Sequence, residues 1–147
     1  MYAFFLFLHS WLRWLLLFFL VISTCLAWQG WLTKRIYNKL DRITASAATG
    51  LSHSQFLIGF TLYLAYSPYS TTYLKEGDTG DYQVWFFGFF HILMMIAAVG
   101  AMSVGSSLSK RAEIDQQKFK FVAISFSVAL LLILAAVPWF RGLFKFW

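Results

Sequence analysis

At 147 residues the chain has room for one domain, here residues 1–147 as a single transmembrane unit. Hydrophobic residues make up 60% and charged residues 12%, against about 45–50% and about 25% in soluble domains. A soluble protein this short has no interior large enough for that load, so the solvent is lipid and its spans must satisfy their own backbone groups. The net charge of +6 clusters in two short loops, which orients a membrane protein and argues against nucleic acid as a partner.

The first apolar run covers about residues 2–33 and carries one charge, Arg13. It lacks the basic start of a cleaved signal peptide and reads as a membrane helix. Cys25, the one cysteine, excludes an intrachain disulfide and reads as a small buried hydrophobe. A basic loop follows, with Lys34, Arg35, Lys39 and Arg42 against Asp41.

The second run, about 43–66, is uncharged. The next loop, 67–81, holds Lys75 against Glu76, Asp78 and Asp81, and Pro68, Gly77 and Gly80 predict irregular structure there. A third run covers about 82–109. A second basic loop carries Lys110, Arg111, Lys118 and Lys120 against Glu113 and Asp115. The fourth run covers about 119–140, with Pro138 in its last turn, and the tail Trp139–Trp147 reads as an interfacial anchor.

Unbroken runs of this length select helices over a barrel, at 1.5 Å per residue across a core of about 30 Å. The expected fold is all-α, an integral membrane four-helix bundle in up-down-up-down order with short loops. Eight of the twelve Lys and Arg lie in the first and third loops. The positive-inside rule makes those loops cytoplasmic and places both termini outside. Ser46, Gly50 and Ser54 on helix 2, and Ala97, Ala101 and Gly105 on helix 3, predict close helix approach.

All six Asp and Glu lie in loops, which argues against a cation carrier built from this chain alone. The ionisable groups within the spans are His9, Arg13, His53 and His91. Arg13 has two readings. It lies at the outer interface between Trp11 and Trp14, with Trp28 and Trp31 as the inner belt ~26 Å away. Otherwise it meets an anion from outside the chain: a lipid phosphate, a haem propionate or a neighbouring subunit.

Three histidines on three helices suit axial ligation of one b-type haem, which needs two imidazoles at one depth. There is no Cys-x-x-Cys-His, which excludes c-type attachment. His91 lies ~9 Å below Trp85 and His53 ~15–20 Å below Tyr63 and Tyr66, and His9 comes level with His91 if its span begins near Tyr2. His91 therefore pairs with His9 or with His53, with Arg13 or Arg141 against the propionates. Gly50 and Gly88 beside the histidines leave gaps for a flat macrocycle. Gln55, Trp85, Tyr63 and Tyr66 are the candidates for a quinone site. No nucleophile–base pair, phosphate loop or metal cluster marks the chain as an enzyme on its own.

Taken together, His9-Ser10-Trp11-Leu12-Arg13, His53-Ser54-Gln55 with Gly59 and Leu62-Tyr63, His91, and Pro138-Trp139 with Arg141 make a pattern. It resembles short four-helix bacterial membrane proteins commonly labelled cytochrome B, over nearly the whole chain. The resemblance implies a b-type haem, electron transfer with the quinone pool of a respiratory chain, and a place in the bacterial inner membrane. That pattern often has an acidic residue where this chain has Phe90, so an ionic partner for Arg13 or His91 is missing there. The alternative expectation is a cofactor-free accessory subunit of a larger membrane complex. It rests on the small size, the absent membrane carboxylates and the aromatic surplus of helix 1.

Overall fold

Helix α1 (Tyr2–Thr33) is 32 residues long and ends where Lys34 turns left-handed (φ 53°, ψ 33°), its N–H returning to the Gly30 carbonyl. In the computed structural model, which describes residues 1–139, this is the longest helix. Helix α2 (Lys39–Thr61) starts at a capping box. Asn38 Oδ1 accepts from the N–H groups of Leu40 and Asp41, and Asp41 Oδ2 accepts from Asn38 N at 2.9 Å. Both Arg35 guanidinium Nη atoms donate to the Asp41 carboxylate at 2.6 Å, which holds Arg35 above its ordinary pKa. The helix therefore begins about four residues before the apolar run, because its polar first turn is the cap.

Helix α2 widens into a π segment (Leu62–Tyr66) and stops at extended Ser67, whose hydroxyl caps helix α3 (Pro68–Glu76). The expectation of an irregular loop is corrected here. Pro68 sits in the first turn, where a missing N–H costs nothing, and of the loop only Ser67 and residues 77–81 lack regular structure. Asp81 caps helix α4 (Tyr82–Trp85), which runs through a second π segment (Phe86–Phe90) into helix α5 (His91–Arg111). Helix α6 (Asp115–Ala136) ends before Pro138, so it starts and stops a few residues earlier than its apolar run. Arg141 and the rest of the tail lie outside the described residues.

The described residues form helices and no strand, and three segments are long and apolar enough to cross a membrane. They are Tyr2–Thr33, Tyr82–Arg111 and Asp115–Ala136. Helix α2 is more polar because hydroxyls line its buried face. Those of Thr44, Thr49 and Ser52 donate to carbonyls of their own helix, so they are satisfied without water.

Helix α1 packs against α2 and α6, and α5 packs against α6 and α2, which leaves α1 and α5 facing each other across the interior. Leu16, Leu20, Ala98, Met102, Phe119 and Phe126 fill the space between. Two glycines make close approach possible. A Cβ at Gly30 would overlap the Phe119 ring, and one at Gly105 would overlap the Ser125 side chain.

Other expectations about packing change. Cys25 is exposed on the outer face of α1. Ser46, Gly50 and Ser54 also face outward, and nothing lies within 4 Å of a Cβ placed on Gly50. Helix α2 carries small residues on both sides and buries the one holding Ala45, Ala48 and Ser52. Of the stripe on α5, Ala97 is exposed and only Gly105 is fully buried.

Candidate functional site

The structure brings two of the three histidines together. His9 on α1 and His91 at the start of α5 face each other across the interior, with ring centroids 6.4 Å apart and ring planes at 65°. His91 follows the π segment Phe86–Phe90, whose wide turn re-aims the helix immediately before it.

The last carbonyls of a helix have no intrahelical donor. Helix α6 ends at Ala136, ahead of Pro138, which cannot continue it. The Ala136 carbonyl is therefore available, and His91 Nδ1 lies 2.8 Å from it. A carbonyl only accepts, so Nδ1 carries the proton and Nε2 keeps its lone pair. This is the arrangement that fixes the tautomer of metal-binding histidines.

Gly59 on α2 makes room for His9. A Cβ there would lie 2.9 Å from His9 Cε1 and 3.3 Å from Nδ1. Gln55, one turn earlier, donates from Nε2 to the His9 carbonyl at 2.8 Å. His9 Nδ1 and Gln55 Oε1 are both buried and make no hydrogen bond among the described residues.

Both residues line a mainly apolar cleft of about 110 Å³. Buried polar atoms without partners cost free energy, so a pair of them on one cleft marks where a ligand or water would bind. Arg13 follows His9 by one helical turn, and its guanidinium carbon lies 5.3 Å from the Trp14 ring centre.

Of the remaining candidates within the described residues, only Tyr63 lines the cleft. His53 is on the exposed side of α2, with Nε2 2.9 Å from Ser103 Oγ on α5, and does not line the cleft. Tyr63 lines the cleft with Gln55 and donates to the Gly88 carbonyl at 2.8 Å. Tyr66 stacks on Phe5 and Trp85 on Phe90, outside the cleft. The gap expected at Gly88 is filled by the Tyr73 side chain from α3. Sequence reasoning missed the Ala136 carbonyl, although Pro138 is the signal that the helix stops and leaves its last carbonyls free.

Among the described residues no group of three or more His, Cys, Asp or Glu could hold a metal ion. A pair of imidazoles suffices only when the ligand supplies the other donors, as a macrocycle does. A metal atom about 2 Å from each of two imidazole nitrogens puts the ring centres roughly 6 Å apart, and the pair here stands at 6.4 Å. The donor set fits a b-type haem. The cleft is smaller than a macrocycle, whose body would extend beyond it. Searches of protein-family models, curated proteins and solved structures find no match to this chain.

Proposed function

We propose that this chain is a cytochrome b-like membrane subunit holding one b-type haem between His9 and His91. In this proposal it passes electrons in a quinone-linked respiratory chain of the bacterial inner membrane. The observation that carries it is the facing pair of imidazoles, with His91 held by the Ala136 carbonyl so that Nε2 is left as a donor. When bound, the haem supplies reversible one-electron transfer. His9 and His91 hold it, Gly59 leaves room for His9, and Arg13, a turn away, is the cation for a propionate. Arg141 is the second such cation on sequence grounds. His53 is not a ligand in this proposal.

The proposed architecture is an up-down-up-down bundle of four spans. Helix α2 with its π extension, 28 residues from Lys39 to Tyr66, would reach ~42 Å at full helical rise, long enough for the fourth. The basic loops then face the cytoplasm and both termini the other side. His9→Ala and His91→Ala should each abolish the b-type Soret band of natively purified protein, and His53→Ala should keep it. Unchanged spectra in the first two variants overturn the proposal.

A second reading, a cofactor-free accessory subunit, is favoured by one observation. The outward stripe Ser46, Gly50 and Ser54 is exposed, with open space beside Gly50, and suits close approach by another protein's helix. A sample that keeps larger subunits and contains no haem would put this reading first.

A further inference from the structure

Far from the histidine pair, three cations from three helices converge on one cavity. Arg42 lies in the first turns of α2, Lys110 in the last turn of α5 and Lys118 in the first turns of α6. Arg42 and Gly59 are 17 residues apart on α2, which is ~26 Å. The cavity measures about 350 Å³, and Tyr37, Ser46, Ser106 and Ser109 complete its polar wall. Ser106 and Ser109 are buried, at 4% exposure, so hydroxyls as well as cations stand at the edge of this space.

The acids nearby neutralise only one of the three cations, Lys118. Asp41 is taken by Arg35 at 2.6 Å. Asp115 binds Lys118 Nζ at 2.8 Å and accepts from Tyr37 N at 3.1 Å. Neither carboxylate lines the cavity, and among the described residues neither ion pair involves Arg42 or Lys110.

Setting orientation requires basic residues in a loop but no convergence of three of them on one polar hollow. Such a hollow at the end of membrane helices matches a phosphate group in size and charge. The outward faces beside it are apolar: Ile43, Val104 and Leu108 are all exposed, on the same two helices that supply Arg42 and Lys110. A ligand with an anionic phosphate and acyl chains meets both surfaces at once.

We propose that this cavity binds a phosphate-bearing anion, supplied by the headgroup of an anionic phospholipid in the leaflet beside the basic loops. Arg42 and Lys110 hold the phosphate, Lys118 is shared between it and Asp115, and Ser106 and Ser109 donate to it. The site is independent of haem.

The test uses the full chain in mild detergent, with native mass spectrometry and thermal unfolding as readouts. Phosphatidylglycerol, phosphatidylcholine and inorganic phosphate are titrated separately. Phosphatidylglycerol should bind saturably at one site per chain. Arg42→Gln and Lys110→Gln should each weaken it about fivefold, the worth of one basic side chain near an anionic membrane surface, and together about 25-fold. Lys120→Gln removes one charge outside the cavity and should leave affinity unchanged. Protection by inorganic phosphate with the same variant dependence keeps the anion site and overturns the lipid as its source. Equal binding of phosphatidylcholine, or equal loss in Lys120→Gln, overturns the site.

Discussion

Gly59 and Gly50 lie on the same helix and differ in what surrounds them, which makes them a matched pair of perturbations. A Cβ at Gly50 meets nothing within 4 Å, whereas one at Gly59 meets His9 Cε1 at 2.9 Å. Glycine to alanine within a helix gains about 0.8–1 kcal/mol from backbone entropy alone. Gly50→Ala should show that gain in full. Gly59→Ala has to open its contact from 2.9 Å to the 3.4 Å at which ordinary contact begins. The resulting shift, about 0.5 Å, is the whole tolerance of a preorganised ligand site. Turning His9 off its rotamer costs about 0.5–1.5 kcal/mol, so the second variant should end near wild-type stability, about 1 kcal/mol below the first. The contact is with the end of a side chain, so the ring moves and the helix survives. Unfolding in mixed micelles measures the stability difference, and ring nitrogen shifts of His9 measure the displacement without haem. With haem bound, occupancy should fall in Gly59→Ala only. Equal stabilisation of both variants with His9 shifts unchanged would show that Gly59 does not position His9.

Two further outcomes follow from the packing. Asp41→Ala removes a buried carboxylate that binds Arg35 twice and caps Asn38, and should cost about 3 kcal/mol in the same unfolding assay. Gly105→Ala should destabilise by about 1–3 kcal/mol despite its helical propensity gain, because the added methyl meets Ser125 and the Phe121 carbonyl at the α5–α6 contact. Gly100→Ala is its control, since a Cβ there meets nothing within 4 Å.

Several features were legible in the chain before any contact was known. Runs free of acids and longer than a bilayer is thick can only be helices in lipid, so class and solvent follow from composition and length. His9, Gln55, Gly59 and His91 were all visible as residues. Their assembly was not, because each residue turns a helical side chain by about 100° and span ends are known only to about two to four residues. That uncertainty is enough to exchange His53 with Gln55 as the group facing inward. Small residues on both sides of α2 gave periodicity nothing to choose between.

Sequence by itself determined the helical class and the long apolar segments, with the carboxylates kept to loops and first helical turns. These are properties of single segments, set by the cost of polar groups in lipid. Tertiary structure decided that His91 meets His9, that Tyr73 closes the gap at Gly88, and that Arg42, Lys110 and Lys118 share one cavity. Each of these depends on the relative rotation and depth of separate helices, and those are set by glycine contacts, two π turns and the carbonyl freed where α6 ends.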